Sequence, residues 1–144
     1  MRKARSHKAV ASLTVLVGFL AGCSSEVPTY PTRGKVVYKG SNQPFGQGWI
    51  WFESTKPPYT RAMAQINRDG EFVLSTTREG NGAIAGEHRV SIAPGSVGSE
   101  AGMKAFLSRI DKKYLEYGTS GLRATILPNQ ENVITIEVTK PGGK

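Results

Sequence analysis

Two tryptophans two positions apart, Trp49 and Trp51, alternate with Ile50 and Phe52. Side chains at i and i+2 share one face of a strand, so if Ile50 and Phe52 fill a core, both indoles point away from it. Flat indoles stack on sugar rings, and an outward aromatic patch marks an interaction surface. The competing expectation is that the segment from Pro94 to Ser120 covers them, with Phe106 or Tyr114 packed against the rings. The other chemistry-bearing groups are poorly matched to catalysis. His88 is the one histidine beyond residue 22, and Ser91 lies three positions away. On a strand that spacing puts them on opposite faces, so no nucleophile–base pair forms. The carboxylates Glu53, Asp69, Glu71, Glu79, Glu87, Asp111, Glu116, Glu131 and Glu137 make no paired acid motif. Asp69 with Glu71 and backbone oxygens is a weak calcium candidate, but Asp69-Gly70 reads more simply as turn chemistry. Tyr114, beside Lys113, fits a structural tyrosine that locks a sandwich corner by bonding back to the backbone. No catalytic residue, metal site or cofactor is expected.

Cys23 is the single cysteine. Arg2, Lys3, Arg5 and Lys8 precede an uncharged, mostly apolar run from Ala9 to Leu20, and Ala21-Gly22-Cys23 follow. This is the order of a secretory signal. Twelve helical residues rise about 18 Å, short of the roughly 30 Å of a hydrocarbon core. The stretch Leu20-Ala21-Gly22-Cys23 resembles the lipobox of bacterial lipoproteins. That resemblance implies cleavage before Cys23 and a diacylglycerol thioether on its sulfur. The chain is then anchored to a membrane rather than spanning it. Ser24 is not the aspartate that retains many lipoproteins at the inner membrane, which tilts the address toward the outer membrane, periplasmic side, in a diderm host.

The formal net charge is +8, from 19 Lys and Arg against 11 Asp and Glu. Removing residues 1–22 takes away four bases and no acid, leaving +4. The remaining bases, among them Arg33, Lys35, Lys39, Arg61, Arg68, Arg89 and Arg123, form no run, so no nucleic-acid partner is expected.

These groups must be held by a fold, and the pattern is that of an all-β sandwich of seven antiparallel strands. The expected strands are 34–38, 48–52, 61–66, 71–75, 87–92, 122–126 and 132–138. Between them lie the Gly- and Pro-rich turn 39–44, the loop 55–60 with Pro57-Pro58, the Asp69-Gly70 hairpin and the Pro128-Asn129-Gln130 turn. Alternation puts Ile50, Phe52, Ala62, Ala64, Ile66, Phe72, Leu74, Val90, Ile92, Leu122, Ala124, Ile126, Ile134, Ile136 and Val138 on core-facing sides. Residues 101–110 place Met103, Phe106, Leu107 and Ile110 at helical spacing, predicting a short helix in the 94–120 excursion. The expected organisation is a signal peptide at 1–22, a lipidated tether at 23–32 and one domain at 33–140.

The order of these pieces resembles the small lipoproteins, abundant in planctomycete-type bacteria, that carry a transthyretin-like or carboxypeptidase-regulatory-like domain. The matching stretches are Gly34-Lys35-Val36, the turn from Gly40 to Pro44, Gly48 to Phe52, and Asp69-Gly70-Glu71-Phe72-Val73-Leu74. Further along come Gly82-Ala83 to Ile92, Lys113-Tyr114 and Thr119-Ser120-Gly121-Leu122. Asn67 stands where the family usually has the first aspartate of the hairpin, which weakens a calcium site there. The two tryptophans are heavier than the family's usual polar residues. The resemblance implies an Ig-like or transthyretin-like sandwich with a non-catalytic binding or structural role at the cell envelope. Its alternatives are a carbohydrate- or cell-wall-binding module and a subunit or assembly factor of an envelope protein complex, either one using Trp49 and Trp51.

Overall fold

The computed structural model describes residues 26–95 and 98–143, and over them the alternating runs become strands. In chain order these are β1 (Thr29–Tyr30), β2 (Thr32–Tyr38), β3 (Trp49–Ser54), β4 (Arg61–Gln65), β5 (Glu71–Val73), β6 (Ala83–Ile84), β7 (Gly86–Ala93), β8 (Leu122–Ile126) and β9 (Asn132–Val138). A four-stranded sheet runs β4-β3-β7-β8 and a three-stranded sheet runs β5-β2-β9. The fold is the expected all-β sandwich, with nine strands among the described residues rather than seven. The two extra ones, β1 and β6, pair only with each other. Each is two residues long, too short for period-2 alternation to register.

One pairing is parallel: β2 lies beside β9 from Thr32↔Asn132 to Tyr38↔Val138. The turn after Ile126 therefore does not close a hairpin within one sheet. It carries the chain from β8 in one sheet to β9 in the other. Asn132 fixes that crossing, since its Oδ1 accepts from the Leu127 N–H at 2.8 Å and its Nδ2 donates to the Leu127 carbonyl at 3.0 Å.

The core lies between the sheets. Ile50, Phe52, Val90, Ile92 and Ile126 from one face Val36, Phe72, Ile136 and Val138 from the other, all buried. Each such side chain contributes about 1.5–3 kcal/mol of transfer free energy. Leu122 and Ile134, expected inside, are only partly buried and pack at the margin. Gly34 sits where a Cβ would strike the Ile134 carbonyl and the Phe72 ring, so the close approach of β2 to β9 needs glycine.

At one end of the sandwich lies helix α1 (Glu100–Leu107), capped by Ser99, whose side chain accepts from the Gly102 N–H at 3.2 Å. It stops short of the expected Ile110. The Ser108 hydroxyl bonds back to the Ala105 carbonyl at 2.7 Å as the helix ends, and Ile110 is buried beyond it. Phe106 meets Phe45 edge-on with ring centroids 5.9 Å apart, closing that end of the core. A 3₁₀ turn (Lys112–Leu115) and the short helix α2 (Tyr117–Ser120) lead into β8.

The domain begins before Arg33. Thr29–Tyr30 is already a strand, and the Thr77 hydroxyl bonds the Glu26 carboxylate at 3.1 Å. Much of the expected 23–32 tether is therefore part of the fold. Cys23 and the expected signal peptide at 1–22 lie outside the described residues. No helix among the described residues is long and apolar enough to cross a membrane.

Candidate functional site

The outer face of the four-stranded sheet follows from register. On β3, Trp49, Trp51 and Glu53 alternate with the buried Ile50 and Phe52. Trp49 pairs with Gln65 and Ala93, Trp51 with Met63 and Ser91, and Glu53 with Arg61 and Arg89. Three cross-strand rows thus stand on one face, two aromatic and one ionic. The indoles are spaced about 7 Å along the strand.

Both tryptophans are partly buried, and Met63 beside Trp51 is 40% exposed. An open cleft of about 570 Å³ is lined by Trp49, Met63, Gln65, Val73, Ser75 and Glu79. That size falls in the range of small-ligand sites. An apolar floor with an amide, a hydroxyl and a carboxylate at its rim suits a ligand carrying both a flat apolar face and hydroxyls.

The excursion does not cover the indoles in the expected way. Phe106 is in the core against Phe45, and Tyr114 is buried with its hydroxyl 3.2 Å from the Thr139 hydroxyl. Tyr114 is thus a buried packing residue tied to a side chain rather than to backbone. It helps line a separate polar groove of about 510 Å³ with Lys39, Lys113, Arg123, Thr135 and Glu137. The excursion does lay Tyr117 on the sheet, and its first residues bring Gly95 beside the Trp49 indole. The Tyr117 ring lies 5.9 Å from the guanidinium carbons of both Arg61 and Arg89.

Tyr117 covers the ionic row. Glu53 accepts from Arg61 Nε at 2.9 Å and from Arg89 Nη2 at 2.6 Å. Burial would push the Glu53 carboxyl up. The hydrogen bonds and charges of Arg61 and Arg89 outweigh it and hold the group below the usual carboxylate range. Glu53 therefore stays ionised and is unsuited to act as a general acid at neutral pH. Burial and the Glu53 charge raise the Tyr117 phenol above its ordinary value, so it stays neutral.

His88 is buried on the core face of β7, with its ring beside Phe52. Its Nδ1 lies 3.1 Å from the Gly86 carbonyl, which can only accept, so the proton sits on Nδ1. Burial lowers its pKa, the Gly86 bond only partly opposing that. Ser91 faces the other way, toward Tyr117, so the two stay apart as alternation requires.

Asp69 and Gly70 form a turn organised by Asn67. The Asn67 Oδ1 accepts from the Asp69 N–H at 2.9 Å and the Glu71 N–H at 2.8 Å. Gly70 adopts φ +78°, and a Cβ there would stand 2.5 Å from the Val36 carbonyl oxygen. The Asn67 side chain thus organises the turn together with the backbone bonds from the Asn67 N–H to the Glu71 carbonyl and from the Gly70 N–H to the Asn67 carbonyl. Among the described residues, no three His, Cys, Asp or Glu side chains gather as metal ligands.

Sequence reasoning missed Met63, Tyr117 and the pairing of Glu53 with Arg61 and Arg89. Glu53 is in phase with the tryptophans, so its face was legible. Its partners depend on strand register, and Tyr117 on a connection without periodicity.

No family model matches the chain, and no curated protein matches it. Among solved structures it is similar to a DUF3823 family protein from Parabacteroides merdae, at 14% identity and a TM-score of 0.47. The match covers 80% of this chain and 48% of that one, so the chain spans about half that protein's length.

Proposed function

We propose that this chain is a non-catalytic β-sandwich, lipid-anchored through Cys23 at the cell envelope, that binds a partner on the outer face of its four-stranded sheet. The observation that carries this reading is the phase of β3: Trp49 and Trp51 stand opposite Ile50 and Phe52, and Trp49 borders an open cleft. The resemblance to transthyretin-like envelope lipoproteins supports the same reading. A cell-wall or other envelope glycan is the favoured ligand class, because Gln65, Ser75 and Glu79 offer hydrogen-bonding groups beside an indole. No cofactor, catalytic metal or nucleic acid enters this reading. The lipobox supports a membrane address, and Ser24 favours the outer membrane in a diderm host.

The second reading, docking to a protein of an envelope complex, is favoured by the exposed Met63 and Val73 beside the same indoles. Retention of the protein on insoluble glycans, lost in Trp49→Ala and Trp51→Ala, would support the first. Failure to bind glycans, with cross-linking from position 63 to one defined envelope protein, would support the second. Indole fluorescence quenched by acrylamide no better than that of a buried tryptophan would sink both. Mass spectrometry of the mature N-terminal peptide tests the anchor separately, and an unmodified peptide starting at another residue would overturn it.

A further inference from the structure

We infer that the end of the sandwich where the N-terminal segment enters docks against the lipid surface, so that the domain sits on the membrane in one orientation instead of swinging on a tether. This rests on the lipid anchor at Cys23. Two residues, Ser24 and Ser25, separate Cys23 from Glu26, and the three Cα–Cα steps span at most about 10 Å of extended chain. Glu26 is already held by Thr77, and Thr29–Tyr30 pairs with Ala83–Ile84. An anchor on so short a lead leaves this end little room to leave the bilayer.

The register shows what else lies there. β2 and β9 both start at this end, with Thr32 beside Asn132. β7 starts there, with Gly86 beside Ile126 at the end of β8. β3 ends there, and the Thr55 N–H continues its pairing by donating to the Glu87 carbonyl at 2.9 Å. The loops 55–60, 76–82 and 127–131 therefore share one end.

The exposed apolar side chains concentrate at it. Val27 is on the entering segment, Tyr59 is 60% exposed on the first loop, and Leu127 is 49% exposed on the last. Val133, also exposed, stands beside Arg33 one residue in from that end of the β2–β9 pairing. The opposite end, with the turns 39–44 and 66–70, carries no large exposed apolar side chain among the described residues. A tyrosine with aliphatic neighbours suits the bilayer interface, where the ring is half wet. At this end Arg33 is paired with Glu131 and Arg61 with Glu53, and Lys56 and Arg78 are equalled in number by Glu26 and Glu79, so the contact is chiefly apolar in character.

The test uses the mature lipoprotein in phosphatidylcholine vesicles, with lipid on Cys23 verified by mass. Amide hydrogen exchange is compared with that of the unlipidated Cys23→Ser protein. Loops 55–60 and 127–131 should be protected on vesicles, while 39–44 and 66–70 exchange alike in both. Uniform exchange, or protection at the opposite end, overturns the docking while leaving the anchor intact. The double variant Tyr59→Asp, Leu127→Asp replaces only exposed side chains. It should keep its lipid and sediment with vesicles yet lose the protection. Protection surviving in that variant also overturns the proposal. Absence of lipid on Cys23 overturns the anchor, and the docking with it, by a different readout.

Discussion

Arg89 reaches across from β7 to Glu53 on β3 and donates a 2.6 Å hydrogen bond to a carboxylate that is only 11% exposed. Arg61 holds the other oxygen from β4, so one anion ties three strands of the four-stranded sheet. Tyr117 lies against both guanidiniums and so fastens the connection before β8 to the same sheet.

Glu53→Gln keeps the shape but removes the charge between two cations. Both arginines are partly exposed and can rehydrate, so the loss should be moderate, about 2 kcal/mol. Chemical denaturation would measure it. Equal stability would show that the carboxylate holds nothing.

The folded-state pKa of Glu53 is depressed, so its contribution is full above the ordinary carboxylate value of 4.5 and is lost as pH falls through the folded value. Stability of the native protein should therefore decline on the acid side of pH 4.5, and less steeply in Glu53→Gln. Parallel acid limbs for the two proteins would contradict this.

His88 works in a different window. Its pKa is lowered by burial from 6.5, so between that value and the folded one the unfolded chain binds a proton that the native state does not. Stability should fall as pH drops below 6.5, by at most about 1.4 kcal/mol per pH unit. In His88→Phe that slope should vanish between pH 7.5 and 5.5. A slope that persists in the variant would assign it to another group.

Gly34→Ala and Gly40→Ala separate crowding from backbone strain. At Gly34 a methyl group meets the Ile134 backbone and the Phe72 ring, whereas at Gly40, with φ +79°, nothing stands within 4 Å. The first should cost about 3 kcal/mol or more and loosen the β2–β9 pairing. The second should cost about 1 kcal/mol. Thermal melts showing equal losses would refute the crowding assigned to Gly34.

Trp51→Ala should leave the fold standing, at a cost of about 1–2 kcal/mol for a partly buried side chain. Under the proposed function it should weaken partner binding about tenfold, or ~1.4 kcal/mol. Unchanged affinity would move the binding face elsewhere.

Much of this arrangement is legible in the sequence. Alternation located Ile50, Phe52, Val90, Ile92, Ile126 and Val138 in the core because a pleated strand has a fixed period of two. It also set Trp49, Trp51 and Glu53 on the opposite face and kept His88 from Ser91. The turn at Asp69-Gly70 was legible because positive φ selects glycine. The lipobox-like segment before Cys23 is likewise a local pattern. What depends only on neighbours along the chain can be read from the chain. The parallel pairing of β2 with β9, the partners of Glu53, the covering by Tyr117 and the gathering of Val27, Tyr59 and Leu127 at one end cannot be read so. They join residues far apart in sequence, and register and sheet order are settled by the packing of the whole sandwich, which leaves no period in any one segment.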